Sequence, residues 1–343
     1  MDTLAEARDA NATAVDDDGQ ARLWRRWLRT FLLTAIVQGG ALYVGVALVD
    51  PFSTGRFALV PGVDIASRNA RLLKGGVARD PQFDAAIFGS STGFPLDPPR
   101  VGQGTGWTVA QLAIPASLPP SQLLVARTFQ RHHGGRANLQ IYALDDLWCR
   151  PGDPAAGAWG AFPDWVYESA DVEYLSRIFF PEAVTASARK LAIRAGLMQP
   201  PVRADGFMTT NLTPVPRPTL AALVRPSAST APDNHFPALE LLAAHIAALP
   251  AEVRLAFVFT PPYVNMLPVS GSPAEARLQA CKARARQIAD ARPNTGWLDL
   301  MTENAITTNA QNYFDALHIT PAAADAVAAA IVEVLKEKDL VKR

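Results

Sequence analysis

Residues 85–93 read Ala-Ala-Ile-Phe-Gly-Ser-Ser-Thr-Gly, a short apolar run that ends in a turn rich in glycine and hydroxyl groups. An uninterrupted apolar run of this length is typical of a parallel strand that is buried on both faces of its sheet. Four later runs are also mostly apolar and are bounded by turn-forming residues: 107–114, 139–144, 253–259 and 297–300. Together with residues 85–88, they predict five strands.

Segments with helical spacing of apolar residues lie around and between these strands: 65–77, 121–131, 238–248, 273–291 and 321–336. Alternation of strand and helix predicts an α/β fold with a doubly wound, mostly parallel five-stranded sheet. Residues 151–237 break the alternation, with one helical region near 171–197 followed by a proline-rich loop. This segment is too long for an ordinary connection, so we expect an insertion that serves as a lid or a partner surface.

The composition excludes several classes of protein. The 343 residues include 32 Lys+Arg and 32 Asp+Glu, so no basic excess points to nucleic-acid binding. The two cysteines, Cys149 and Cys281, are too few for a zinc-finger array or a disulfide framework. An exported domain permits a disulfide, but nothing in the sequence brings this pair together, and we expect both thiols to be free.

Residues 31–49 form an uncharged run that would rise about 28 Å as a helix, close to the hydrocarbon thickness of a bilayer. Four arginines precede the run: Arg22, Arg25, Arg26 and Arg29. Because cationic residues stay on the cytoplasmic side, the sequence predicts a single-pass protein of the bacterial inner membrane with its main domain outside. A buried core helix and a cleaved signal peptide are the alternatives.

This topology divides the chain into four parts. Residues 1–30 are expected to be a cytoplasmic tail, disordered over its first twenty residues, and residues 31–49 the membrane helix. Residues 50–83 form a connector that is followed by the exported domain, 84–343, with its insertion at 151–237.

Two polar clusters follow the first and last predicted strands. Ser90 and Ser91 come directly after residues 85–88, on a tight turn where a hydroxyl would lie near backbone N–H groups, although an ordinary capping turn has the same composition. Asp315 precedes His318 by three residues, in the loop before the last helix. A carboxylate in that position can orient an imidazole toward a serine, which predicts a Ser-His-Asp triad.

These two motifs resemble those of the SGNH (GDSL-like) hydrolase superfamily over residues 84–335. Gly89-Ser90-Ser91 is similar to the family's first block, Gly-Asp-Ser, and Asp315-Ala316-Leu317-His318 matches its last block, Asp-x-x-His. The resemblance implies a flavodoxin-like sheet, Ser91 as nucleophile, His318 as base and Asp315 as its orienting partner, without a metal or other cofactor. The membrane anchor and the Gly-Ser-Ser variant further resemble D-alanyl-lipoteichoic acid transfer and alginate-acetylation proteins.

The middle blocks of the family match less well. The resemblance assigns the oxyanion hole to the N–H groups of Ser91 and of Ala116, or of Ser117, where the family has glycine. Its asparagine is replaced by Asp145, which cannot donate a hydrogen bond when ionised. Loss of one such donor lowers turnover on the order of 10²–10³-fold in other enzymes. We therefore expect a weak oxyanion hole.

Two other patterns resemble binding motifs but do not predict a binding site. Gly102-x-Gly104-x-Gly106 precedes a strand instead of following one, so it predicts a turn and not a dinucleotide site. His132-His133 lies beside a glycine-rich loop without other ligand types nearby, which favours a solvated loop over a metal site.

The sequence thus predicts a membrane-anchored serine esterase or acyltransferase that acts on a cell-envelope or exported polysaccharide. Its expected partners are the envelope glycan or acyl donor and a polytopic membrane acyltransferase. The alternative is a catalytically degenerate assembly subunit that binds a membrane acyltransferase or a polysaccharide synthase, which the poor third block favours.

Overall fold

The computed structural model describes residues 3–59, 61–136, 138–157, 160–209, 212–228 and 234–342. Five strands form one parallel sheet: β1 Ala85–Gly89, β2 Val109–Gln111, β3 Leu139–Leu144, β4 Arg254–Phe259 and β5 Thr295–Asp299. Their order across the sheet is β2-β1-β3-β4-β5. All five predicted strands and the parallel arrangement are confirmed.

The sheet order fixes where a ligand can bind. β1 pairs with β2 on one side and with β3 on the other, so the chain reverses its winding direction between β1 and β3. In doubly wound sheets the binding crevice lies at such a reversal, outside the carboxyl ends of the strands. Gly89, the last residue of β1, lies opposite Ala143 of β3 and marks this position.

Eleven α-helices occur in the described part of the chain: α1 Thr3–Val49, α2 Ala70–Val77, α3 Pro98–Thr105, α4 Pro119–His133, α5 Asp164–Tyr167, α6 Asp171–Arg177, α7 Pro181–Arg194, α8 Arg217–Ala221, α9 Pro237–Ala247, α10 Pro273–Asp290 and α11 Pro321–Glu337. Helices α2, α4, α9 and α10 pack on one face of the sheet, and α3 and α11 pack on the other. Ile141 of β3 contributes to one core and its neighbour Tyr142 to the other, as the pleat of a strand requires. The doubly wound prediction is therefore confirmed.

Helix α1 contains one segment, Gly19–Val49, that is long and apolar enough to cross a membrane by length and composition. Only 11% of its most apolar window is buried in the protein, which is not what a core helix shows. The helix begins at Thr3, whereas the sequence analysis predicted disorder over the first twenty residues. Five alanines between positions 5 and 14 explain the difference, because alanine has the highest helix propensity.

The connector after α1 is held against the rest of the protein. Asp50, only 1% exposed, accepts hydrogen bonds from the Thr54 N–H at 2.9 Å and the Gly55 N–H at 2.7 Å. Lys190 of α7 is fully buried and donates to the Asp50 carbonyl at 2.8 Å and to Ser53 Oγ at 3.2 Å. These contacts join the end of α1 to the insertion, so the connector is not a loose tether.

The insertion has two halves with different neighbours. Its helices α5, α6 and α7 pack beside α1, α2 and α4, and the predicted helical region is divided into α6 and α7 before Pro181. The second half follows the carboxyl edge of the sheet. There Asp205 accepts from the Gln111 N–H at 2.8 Å, and Arg225 donates to the Leu267 carbonyl at 3.1 Å. Residues 158–159, 210–211 and 229–233 of the predicted insertion lie outside the described residues.

The glycine-rich stretch before β2 was predicted to be a turn, and this was wrong for its first two glycines. Gly102 and Gly104 belong to α3, and only Gly106, with φ 76°, forms the left-handed end of the helix. Glycine at position 104 answers a tertiary requirement, because a Cβ there would lie 2.5 Å from Val332 Cγ1 of α11. Glycine therefore permits α11 to approach α3 closely.

The prediction that Cys149 and Cys281 are unpaired is also wrong. They form a disulfide with their Cα atoms 5.5 Å apart. Cys149 ends a short 3₁₀ helix, Asp146–Cys149, after β3, and Cys281 lies in the middle of α10. Packing of α10 on the sheet brings them together across 132 positions of sequence, a contact that no local pattern encodes.

Candidate active site

The turn after β1 presents two serines in different environments. Ser90 is buried, and its hydroxyl donates to Asp145 Oδ2 and lies 3.3 Å from Thr92 Oγ1. Ser91 is partly exposed. The turn packs tightly on β3, because a Cβ on Gly93 would lie 2.7 Å from the Ala143 Cβ. Of the two hydroxyls, that of Ser91 is therefore the one available to a substrate.

The turn after β2 lies beside the first one. The Ile114 N–H and the Ser117 hydroxyl both donate to the Gly89 carbonyl, at 3.0 and 3.3 Å. Ala116 between them is exposed and has φ 56°, in the left-handed region that favours glycine. The Ser117 N–H already donates to the Ile114 carbonyl at 3.2 Å, whereas no described residue accepts from the Ala116 N–H. Of the two candidates, Ala116 therefore has the N–H group that remains available for an oxyanion.

Asp145 lies directly after β3 and caps the 3₁₀ helix that leads to Cys149. Its carboxylate is buried and accepts from the hydroxyl of Ser90, from the Leu147 N–H at 3.1 Å and from Thr92 Oγ1 at 3.4 Å. Burial, and then the negative charge of Asp146, raise the pKa of Asp145 to about 6 against these hydrogen bonds. Asp145 is thus an acceptor that fixes the turn after β1.

Asp315 and His318 form a hydrogen-bonded pair in the loop between β5 and α11. Asp315 Oδ2 lies 2.7 Å from His318 Nδ1, and Oδ1 accepts from the N–H groups of Leu317 and His318 at 2.8 and 2.9 Å. Burial alone would raise the pKa of Asp315, but these three hydrogen bonds outweigh it and lower the pKa to about 2. The carboxylate stays ionised at neutral pH and holds the imidazole so that Nε2 faces away from it.

The loop that carries this pair is itself braced. Tyr313 and Ile319 form an antiparallel bridge, and the Phe314 N–H donates to the His318 carbonyl at 2.8 Å. The buried Tyr313 hydroxyl donates to the Pro262 carbonyl at 3.0 Å, which connects the loop to the end of β4. His318 is therefore positioned relative to the sheet and not only relative to Asp315.

A cavity of about 220 Å³ lies at this edge of the sheet. Most of its lining is apolar, and its walls are Thr92, Asp145, Asp146, Pro226, Thr260, Pro262, Met266, Leu267, Pro268, Leu278, Met301 and Leu317. Thr92 is the neighbour of Ser91 and Leu317 is the neighbour of His318. Both predicted motifs therefore border the same space.

The structure brings some predicted site residues into direct contact, whereas others are related only through sequence neighbours that line the same cavity. Asp315 and His318 are in contact, whereas no hydrogen bond between Ser91 and His318 occurs among the residues that the structure describes. The cavity wall around Met266 was not anticipated. An apolar, proline-rich stretch just past β4, at the carboxyl edge of the sheet, was the sequence signal that could have revealed it.

Within the described ranges, no group of three or more His, Cys, Asp or Glu side chains could hold a metal ion. His133 Nε2 and Nδ1 instead lie 2.8 Å from the backbone carbonyls of Asp80 and Phe129, respectively. His133 is therefore buried between α4 and the segment before β1, whereas a solvated loop was expected.

Comparisons with known proteins assign no family to this chain. No family model matches the chain, and no curated protein matches it. Among solved structures, it is similar to a protein from Streptococcus pneumonia provisionally described as a platelet activating factor. That likeness has 11% sequence identity and a TM-score of 0.36, and covers 78% of this chain and 90% of the other.

Proposed function

We propose that this protein is a membrane-anchored serine esterase or acyltransferase of the SGNH type, acting on an envelope or exported polysaccharide. The observation that carries the proposal is the Asp315–His318 pair, 2.7 Å apart, in a loop whose Leu317 lines the same cavity as Thr92 of the Ser91 turn. An ionised carboxylate on Nδ1 and a free Nε2 are what a general base needs beside a serine.

The proposed reaction proceeds in two stages. Ser91 Oγ attacks the carbonyl carbon of an acyl ester while His318 Nε2 takes the hydroxyl proton, and Asp315 stabilises the imidazolium. The N–H groups of Ser91 and Ala116 donate to the oxyanion. The bond between the carbonyl carbon and the alcohol oxygen then breaks, and the alcohol leaves with the proton from His318.

The second stage regenerates the enzyme. Water or a sugar hydroxyl attacks the acyl-Ser91 ester while His318 removes its proton, and the Ser91 oxygen takes that proton back when it leaves. Attack by water gives hydrolysis, and attack by the polysaccharide gives transfer. The backbone of Ala116 supports its assignment to the oxyanion hole. Ala116 has a left-handed conformation, which the glycine that the family has at this position would adopt without strain.

The cavity suggests the size of the acyl group. At about 30 Å³ for each water-sized group, 220 Å³ holds about seven of them. An acetyl or another short acyl chain would fit against Met266, Met301 and Leu317.

Two observations support the proposed location outside the cytoplasm. The arginines before residue 31 orient α1 with its N-terminus inside, and the Cys149–Cys281 disulfide suits an oxidising compartment. A reporter fused after Asp50 should be active only outside the cytoplasm, and activity inside would contradict the location.

A degenerate site is the second candidate. It is favoured by the hydroxyl of Ser90 donating to Asp145, where the family has an asparagine donor, and by the lack of a described Ser91–His318 hydrogen bond. On that reading the domain would bind a membrane acyltransferase without doing chemistry itself.

Covalent labelling separates the two candidates. A fluorophosphonate probe should modify the wild-type chain on Ser91, and Ser91→Ala or His318→Ala should each abolish labelling. The double variant should be no worse than either single one, because the residues act as one unit. Ser90→Ala is the matched control and should still be labelled. Absence of labelling in a folded wild-type protein, or loss of labelling only in Ser90→Ala, would refute the proposed triad.

A further inference from the structure

The position of the bilayer along α1 can be worked out from its charges. Arg29 is the last charged residue before Asp50, and the segment from residue 30 to Val49 contains 20 residues. At 1.5 Å per residue this segment is about 30 Å long, which equals the hydrocarbon thickness of a typical bilayer. If α1 spans the membrane as proposed, the outer hydrocarbon boundary therefore lies near Val49.

The exported domain contacts α1 below that boundary. Tyr43 lies six residues before Val49, about 9 Å inside it along the helix. Its hydroxyl donates to the Leu175 carbonyl at 2.8 Å, and its ring centroid lies 5.7 Å from that of Phe179. Val46, one turn later, is only 2% exposed. The end of α6 and the segment that joins it to α7 therefore pack beside the last two turns of the membrane helix.

This arrangement is held by hydrogen bonds at the end of α1. Lys190 of α7 donates to the carbonyl of Asp50 at 2.8 Å, and the Leu59 N–H donates to the Leu48 carbonyl at 2.9 Å. The Leu59 contact holds the connector against the end of α1, and the α6–α7 segment cannot swing away from the membrane without breaking the Lys190 and Tyr43 contacts. The domain must bring this surface to the level of the lipid headgroups.

Large apolar side chains are exposed on this surface, beside charged ones such as Asp171, whose side chain is 68% exposed. Phe57, Leu59, Val172 and Phe179, which we name the juxtamembrane corner, are 43%, 72%, 79% and 46% exposed. Isolated apolar side chains are common on protein surfaces, but a group of them around the exit of a membrane helix marks an interaction site.

We propose that the juxtamembrane corner inserts into the outer-leaflet interface of the bilayer, so that the domain lies on the membrane at a fixed height. The proposal rests on the proposed membrane span of α1 and extends it to the exported domain. Lipid is the occupant because Phe179 of the corner packs on Tyr43 and so adjoins the large apolar side chains that α1 exposes between Leu23 and Val44. A second copy of the chain is the rival occupant.

Spin labels on the full chain in nanodiscs of phosphatidylethanolamine and phosphatidylglycerol test the proposal. The two native cysteines are joined to each other, so a single introduced cysteine takes the label. Val172→Cys reports on the corner and Ile36→Cys on the membrane span. Val224→Cys is the control, because Val224 is an equally open valine, 91% exposed, in the other half of the insertion.

We expect the ratio of oxygen to nickel-chelate accessibility at position 172 to resemble that at position 36 and to exceed that at position 224 severalfold. Nickel accessibility at 172 equal to that at 224, with 36 still in lipid, would overturn the docking and leave the span intact. A label at 172 shielded from both reagents would show a protein contact and would also overturn it. Nickel accessibility at 36 would refute the span and the docking together.

Discussion

The effect on stability of replacing Asp145 by asparagine should become more favourable as the pH rises. Asp145 is 3% exposed, and burial is the first cause that raises its pKa from 3.8 to about 6. The folded state therefore holds the proton more tightly than the unfolded state does. This contribution to stability is complete below pH 3.8 and is lost as the pH rises through about 6. The difference between the two pKa values corresponds to about 3 kcal/mol.

Asparagine has the same shape and no such proton, so the gain in stability from Asp145→Asn should grow between pH 4 and pH 7.5 by about 2–3 kcal/mol. At about 2–4 °C for each kcal/mol, the difference in melting temperature should widen by about 5–10 °C. Thermal unfolding of the full chain in detergent, followed by circular dichroism at several pH values, measures this difference. Other titrating groups are common to both proteins and cancel.

Asp146→Asn is the matched control. It removes the neighbouring charge, the second cause of the raised pKa, and leaves Asp145 buried. Its gain should have the same sign and be smaller. A melting difference for Asp145→Asn that stays constant with pH, or a larger pH dependence for Asp146→Asn, would refute the role assigned to burial. Esterase activity of Asp145→Asn should be kept or raised, since an amide can donate to the oxyanion.

Three further predictions follow from the site and the disulfide. Ala116→Gly should stabilise the protein by about 1 kcal/mol, measured by thermal unfolding, because φ 56° strains a residue that has a Cβ. Replacing Cys149 and Cys281 together by serine should destabilise it by about 2–5 kcal/mol in the same assay, since the bridge closes a loop across 132 positions. Asp315→Asn should lower the turnover of a chromogenic ester but retain measurable activity, because the general base His318 is still present and has lost only the negative charge that orients it.

Each of these three predictions has a control or an outcome that would contradict it. Ala156 is the control for Ala116→Gly, because it is an exposed alanine in another turn and lacks a positive φ. Ala156→Gly should therefore destabilise the protein slightly. An equal gain in stability at both positions would contradict backbone strain at Ala116. Unchanged melting of the serine double variant would contradict the bridge. Full turnover in Asp315→Asn would show that the pair has no catalytic role.

The fold was predictable where the sequence signal is local. β3, for example, was predicted with its observed bounds, because a buried parallel strand needs an almost continuous apolar run at that position. The Asp315–His318 contact was also predictable, since three positions in a loop leave the two side chains within reach.

The features that escaped prediction depend on residues far apart in sequence. Position 104 must be glycine because α11 packs against it, and Cys149 meets Cys281 because α10 packs on the sheet. Asp145 is bonded to Ser90 across two neighbouring strands, a partnership set by their register. No window of sequence contains both members of such a pair.

The spacing of the two cysteines bears on how the protein is made. If the domain is exported while it is synthesised, Cys149 emerges well before Cys281. At about 5–20 residues per second, 132 positions correspond to a delay of roughly 7–26 s. During that time the Cys149 thiol has no other thiol of the given sequence to pair with. When Cys281 appears, Cys149 is the one thiol in this sequence with which it can pair. Pairing of these two thiols therefore requires an oxidant but no isomerase.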